Sequence, residues 1–275
     1  MVNLRYTIQS QFRPRLPEHQ EGSEGVPRFF VPKEDIGKEC VAIRGADAHH
    51  ISRSLRMAVG EEITVADGEG HAYRCVLSGF SADEVHARIT ECLDEKREPP
   101  CHLTLCQALP KGDKLDLVIQ KAVECGVSLI VPFESEHCVV RRKADSEAAK
   151  SQRRNRIARE AAGQCGRSLV PRVGACVSFP EMLVLAKEAD LALFCYEGEG
   201  TVPIGRILSD FSPAPGARIV LAVGSEGGFS VAESEAARRA GWRMTGLGPR
   251  ILRTETAALF ALSAISTLTE LGQEA

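Results

Sequence analysis

The chain has 275 residues, 44% of them hydrophobic, enough to bury a core in one large domain or two ordinary ones. No stretch approaches the roughly 20 apolar residues of a membrane span, and the segment from Met1 to Ser10 lacks the apolar core of a signal peptide. A cytoplasmic protein with no membrane partner is therefore expected. The net charge of −3 hides an asymmetry: residues Arg141 to Arg172 carry ten Lys/Arg against three acids, so this segment is +7 and the remainder −10. A local basic patch on an acidic chain favours a positioned anionic partner over non-specific coating. The ten cysteines are scattered from Cys40 to Cys195 without a CxxC pair, and the seven histidines do not cluster. They read as reduced core thiols, and no metal site is expected.

Residues 1–25 are polar and rich in Pro, Gln and Glu, with too little apolar content for a core, and read as a flexible extension. Order is expected to begin at Pro27-Arg28-Phe29-Phe30-Val31. From there to Glu98 the signals are short strands: Glu62 to Ala66, a turn at Asp67-Gly-Glu-Gly70, Ala72 to Leu77, and the alternating Val85, Ala87 and Ile89. Between them Asp47 to Met57 reads as a short helix carrying His50, Arg53 and Arg56 on one strip. Asp94 to Pro100 is a charged, proline-terminated linker, which divides the chain into a β-rich domain, 26–98, and a second domain, 99–275.

After the linker, strands and helices alternate. Strand His102–Leu109 leads to helix Asp113–Cys125, strand Leu129–Phe133, helix Ser146–Cys165, strand Leu191–Tyr196, strand Ile219–Val223, helix Ser230–Ala240 and a final helix from Thr254. Near-continuous apolar strands separated by helices imply an α/β domain on a largely parallel sheet.

Two glycine-rich loops carry the chemistry. In Ile219 to Ser230 an apolar strand runs into Gly224-Ser-Glu-Gly-Gly228 and then a helix start, where Ser230 and Glu233 have the spacing of a capping box. Glycines there let a planar ligand lie against the main chain at the sheet's C-terminal edge. A tight βα turn needing glycine for its own geometry is the equal alternative for that loop alone. Leu247-Gly-Pro-Arg-Ile-Leu-Arg-Thr-Glu-Thr-Ala257 repeats the arrangement. Two such loops on neighbouring strands would wall a pocket of apolar side chains and backbone donors. That composition suits an adenosine better than a pyrophosphate, which would want G-x-G-x-x-G or a P-loop; neither occurs. The missing G-x-G-x-x-G also counts against a nicotinamide oxidoreductase.

Phe29-Phe-Val, His49-His50 with Leu55-Arg56, Leu109-Pro-Lys-Gly-Asp-Lys114, Lys121 to Val127, Glu160 to Arg167, Gly224 to Phe229 and Leu247 to Ala257 follow one another in an order that resembles the RsmE family. The resemblance covers residues 27 to about 272. It implies a PUA-like β-barrel followed by a SPOUT-class α/β methyltransferase domain whose chain threads a deep trefoil knot. It further implies a homodimer that uses S-adenosyl-L-methionine to methylate N3 of a uridine in 16S ribosomal RNA, within the 30S subunit or a late assembly intermediate. Other readings are a SPOUT methyltransferase acting on another RNA, such as a tRNA, and an RNA-binding module without catalysis. The chain departs from the family pattern at Ser225, where a proline is usual, and at His137-Cys138, where the family has Arg-Ser.

The cofactor-binding residues are then Leu221, Val223, Gly224, Ser225, Glu226, Gly227, Gly228, Leu247, Gly248, Ile251, Leu252, Thr256 and Ala257. Uridine N3 is mostly protonated near neutral pH, so a base or cationic donors near O2 and O4 must favour the anion. Arg253 is the catalytic candidate for that role, set against an ion pair with Glu255 or Glu226. Arg156, Arg159, Gly163 and Arg167 fall near one face of the basic helix, and with Arg28, His50, Arg56 and Lys111 its arginines are the RNA-binding candidates.

Overall fold

A computed structural model describes residues 26–95, 97–142 and 144–271. The flexible-extension reading of residues 1–25 lies outside them. The N-terminal unit is a five-stranded sheet in the order β1-β3-β4-β5-β2, made of β1 (Arg28–Phe30), β2 (Cys40–Arg44), β3 (Glu62–Ala66), β4 (Ala72–Phe80) and β5 (Glu84–Leu93). In β5 Val85 and Ala87 point into the core between exposed His86 and Arg88, the period-2 signature of a half-buried strand. The expected closed barrel is corrected to a half-barrel, because three-residue β1 pairs with β3 alone and β2 lies at the opposite end of the sheet. The helix expected over Asp47–Met57 is α1 (Gly45–His49), which runs on as a wider π turn to Ser54. Arg56 has left the helix, at φ +54°.

The second unit is an eight-stranded parallel sheet. Its strands are β6 (His102–Ala108), β7 (Leu129–Glu134), β8 (Arg172–Val173), β9 (Val177–Ser178), β10 (Leu191–Cys195), β11 (Val202–Pro203), β12 (Arg218–Val223) and β13 (Arg243–Gly246), ordered β11-β13-β10-β12-β6-β7-β8 with β9 also on β7. Its helices are α2 (Lys114–Glu124), α3 (Ala144–Gln164), α4 (Phe179–Leu183), α5 (Ile204–Ser209), α6 (Val231–Arg239) and α7 (Thr254–Ser266). The central strand β12 is buried on both faces from Ile219 to Val223, which is why its sequence is an unbroken apolar run rather than an alternating one. In α2 the buried Leu115, Val118, Ile119, Ala122 and Val123 recur at helical spacing, and this stripe packs the helix into the main core. Ser230 and Glu233 form the capping box that starts α6.

The two units are joined by charge as well as by chain. Arg28 donates two bonds to Glu95, at 2.5 and 2.7 Å, while Glu98 takes Arg167 at 2.7 Å and the backbone amides of Ser168 and Leu169. The 94–100 stretch, an apparent linker by composition, thus supplies both carboxylates of this joint. Among the described residues no helix is long and apolar enough to cross a membrane.

Candidate functional site

Parallel strands β10, β12 and β13 run side by side, with Phe194 opposite Ala222 and Cys195 opposite Thr245, so their C-terminal ends are level. The loops leaving them converge on a cleft of about 910 Å³. This is the edge of an α/β sheet where ligands bind, and the volume falls in the small-molecule range. The first loop turns through Gly228 N–H to Ser225 O at 2.9 Å. A Cβ on Gly224 would stand 3.2 Å from Gly228 Cα and from the Phe229 ring, so any larger residue would have to push the turn open by a few tenths of an ångström. Gly248 in the second loop sits at φ +104° with open space where a Cβ would be, so the backbone itself forms that wall.

Of the residues expected to hold the cofactor, Val223, Gly224, Ser225, Glu226, Gly227, Gly228, Leu247, Gly248, Ile251, Leu252 and Ala257 line the cleft. Leu221 and Thr256 do not. Leu221 lies two residues below the strand end and is wholly buried, and Thr256 is on the exposed side of α7. The sequence reading missed the third wall, Cys195, Tyr196, Glu197 and Thr201 after β10, and also Lys114 and Arg250. The missed signal was the same grammar in weaker form: an apolar strand running into Glu197-Gly-Glu-Gly200.

The electrostatics of the rim separate its cations. Lys114 reaches Glu226 at 2.9 Å and Glu255 at 3.4 Å. Its contact with Glu226 raises the ammonium pKa above the usual value, so it stays charged. Partial burial pushes Glu226 upward, but bonds from Lys114, its own amide and the Lys111 amide outweigh this and hold the carboxyl below the ordinary value of 4.5. Glu226 is therefore a fixed carboxylate rather than a base. Of the two acids proposed as partners for Arg253, Glu226 is hydrogen-bonded by Lys114 and Glu255 has only a 3.4 Å contact with it, its buried Oε2 making no hydrogen bond; among the described residues no ion pair or side-chain hydrogen bond engages Arg253. It is the exposed N-cap residue of α7, on the cleft. Burial pushes the Cys195 thiol up to about 12, which keeps it protonated and unreactive at neutral pH.

An S-adenosylmethionine molecule matches what the walls offer. Val223, Leu247, Leu252 and Ala257 give apolar surface, and the glycine turns expose backbone. Ser225, only 6% exposed, has a hydroxyl without a hydrogen-bond partner. A buried hydroxyl without a partner beside a cleft is a group that the polar edge of a ligand would satisfy.

The RNA methyltransferase domain model matches residues 97–266, and the RNA methyltransferase PUA domain model matches 43–90. Ribosomal RNA small subunit methyltransferase E of Bacillus subtilis is 37% identical over 252 residues, covering 89% of this chain and 97% of that protein. The protein of the same name from Synechocystis is 33% identical, covering 88% of this chain and 78% of its own length. The chain belongs to the RsmE family. A crystal structure of the Neisseria gonorrhoeae ribosomal RNA small subunit methyltransferase E bound to S-adenosyl methionine superposes with a TM-score of 0.77, at 33% identity, over 88% of this chain and 98% of that one.

Within this RsmE family chain the expected RNA contacts divide. Arg167 is 4% exposed and spends its guanidinium on Glu98 and on the carbonyls of Val123 and Val127. Arg28 is 8% exposed and paired with Glu95. Neither presents a free face to a phosphate: Arg28 ties the first unit to Glu95 and Ser168, and Arg167 holds Glu98 against the second unit. Arg159 points at the N-terminal sheet, donating to Phe30 O and Asp47 and lying 5.4 Å over the Phe30 ring. Gly163 faces the same ring rather than a phosphate. Arg156 is solvent-exposed, with only a 3.7 Å contact to Glu160 four residues on. Lys111 and His50 are exposed, and Arg56 is exposed but off the helix strip.

Of the family departures at 137 and 138, His137 meets the first cleft loop. His137 Nδ1 lies 2.9 Å from Gly227 O; a carbonyl only accepts, so Nδ1 carries the proton. Cys138 is buried with its sulfur 3.2 Å from the Ser135 hydroxyl. His137 thus braces the first loop from outside, while Cys138 packs against Ser135. Among the described residues no group of three or more His, Cys, Asp or Glu is placed to hold a metal.

Proposed function

We propose that this chain transfers the methyl group of S-adenosylmethionine to N3 of one uridine in 16S ribosomal RNA of the small subunit. The observation that carries the reading is the cleft at the ends of β10, β12 and β13, with an unengaged Arg253 on its rim. S-adenosylmethionine supplies an electrophilic methyl carbon on a sulfonium. The apolar walls orient the adenosine, and the loop amides with Ser225 Oγ take its polar edges. The chain's further tasks are to align the two reactants and to favour the N3 anion. Arg253 does the second by placing positive charge against the developing charge on the uracil carbonyls. Lys114 favours this by engaging Glu226 at 2.9 Å and lying 3.4 Å from Glu255, which leaves the Arg253 guanidinium facing the cleft.

Residues 26–98 serve as the RNA-docking domain and 99–275 as the methyltransferase domain, with Lys111, Arg156, His50 and Arg56 as exposed contacts to RNA. The active assembly is a homodimer. Support comes from Ile251, 88% exposed on the cleft loop, and from Phe260, 41% exposed on α7. The C-terminal chain is threaded as a deep trefoil knot, as the family resemblance implies. The protein works in the cytoplasm on 30S particles or a late assembly intermediate.

The test is methylation of 30S particles, free 16S rRNA and tRNA with labelled cofactor, followed by mapping of the labelled nucleotide. The expected product is one N3-methyluridine in 16S rRNA. Label on a ribose or on tRNA would move the assignment to a different RNA methyltransferase activity.

A further inference from the structure

Beneath the cleft, Gln107 near the end of β6 is wholly buried. Its Nε2 donates to Thr254 Oγ1 at 2.9 Å, to Ala108 O at 3.0 Å and to Gly224 O at 3.4 Å. The Thr254 hydroxyl in turn donates to Gly224 O at 2.5 Å. Gly224 opens the first cleft loop, and Thr254 closes the second and begins α7. Three segments far apart in sequence thus meet at one amide.

The orientation of that amide follows from its neighbours. Two of its partners are carbonyl oxygens, which only accept, so the NH₂ end must face them. The carbonyl end is then left buried without a hydrogen-bond partner. A half-satisfied amide in a core is unfavourable compared with an apolar side chain of similar volume. Gln107 therefore adds little to the core as packing. What it supplies is a cross-link between the two loops and a fixed start for α7, where Arg253 is the N-cap residue.

We infer that Gln107 is a positioning residue for methyl transfer: through Thr254 and Gly224 it sets the spacing of the cofactor loops and the backbone position of Arg253. The inference rests on the reading of the cleft as the S-adenosylmethionine site. It acts entirely through other groups, since Gln107 itself does not line the cleft. Gln107→Leu removes both the donors and the orphaned acceptor at similar volume.

Three quantities are measured on the full chain: the Kd for S-adenosylmethionine by calorimetry, the single-turnover methylation rate on 30S particles, and the melting temperature. Gln107→Leu is expected to weaken cofactor binding roughly tenfold, the scale of the lost hydrogen bonds. At saturating cofactor it should slow methyl transfer by a further factor of roughly ten or more, because Arg253 is misplaced. The melting temperature should stay within about 3 °C of wild type or rise. Thr254→Val cuts the same link and should shift Kd and rate in the same direction; it carries the test if Gln107→Leu does not fold. A variant with wild-type Kd and rate, whatever its melting temperature, overturns the inference alone. A wild-type chain that gives no heat with S-adenosylmethionine overturns the cleft reading first.

Discussion

Arg253 and Arg167 look alike in the sequence, each an arginine near a glycine turn at a helix end in a segment with basic neighbours. In the structure they are opposites. Arg253 is exposed on the cleft and unengaged among the described residues, while Lys114 engages Glu226 and lies 3.4 Å from Glu255. Arg167 is 4% exposed and saturated by one carboxylate and two carbonyls. Charge available for chemistry and charge committed to structure carry the same letter. Only the partners tell them apart, and the partners of Arg167 lie 40 to 69 residues away.

The comparison can be broken most sharply at Arg253. Arg253→Ala should lower the single-turnover rate by roughly 10²–10³, the loss typical of removing one charge-stabilising donor, with a Kd for S-adenosylmethionine within about threefold of wild type. Equal losses in rate and binding would make Arg253 a structural residue like Arg167.

Arg167→Ala should behave in the opposite way. It removes the counter-charge of Glu98, which keeps only the Ser168 and Leu169 amides, and a donor to each of the Val123 and Val127 carbonyls, and should cost about 3 kcal/mol, read from the denaturant midpoint. The slope of RNA binding against salt should not change. A flatter slope would return Arg167 to the RNA surface.

Lys111→Gln tests the exposed side, and removal of one phosphate contact should lower the magnitude of the salt slope by about one unit. Arg159→Gln should leave the slope unchanged, since that guanidinium is held by Phe30 O and Asp47.

The smallest effect is the pH dependence at Glu226. Its pKa in the folded chain lies below 4.5, so its contribution to stability is present above that value and is lost as pH falls through the lowered folded value. The stability gap between wild type and Glu226→Gln should therefore shrink as pH drops below 4.5. A gap that grows on acidification would mean the carboxyl is not held ionised by Lys114.

The sequence reveals local features of this fold and hides the long-range ones. Strand β12 was legible because a strand buried on both faces must be continuously apolar, and the α6 start because Ser230 and Glu233 are three residues apart. The two glycine loops were legible for the same local reason. The third wall was not: Glu197-Gly-Glu-Gly200 has the composition of an ordinary surface turn, and only the β10 neighbours show that it ends beside Val223 and Gly246. The helix strip of His50, Arg53 and Arg56 failed because the helix widens into a π turn and Arg56 leaves it at φ +54°. The β-barrel came from the family resemblance, and its half-open form was not legible because a three-residue β1 carries no sequence signal of which neighbour it pairs with. The ion pairs of Arg28 and Arg167 were not legible because Glu95 and Glu98 read as linker charges until the chain folds over them.

The measurement that bears most directly on the account is calorimetric titration of the full chain with S-adenosylmethionine. The cleft predicts saturable binding of one cofactor per chain, retained in Arg253→Ala. No heat of binding from a folded wild-type chain would contradict it.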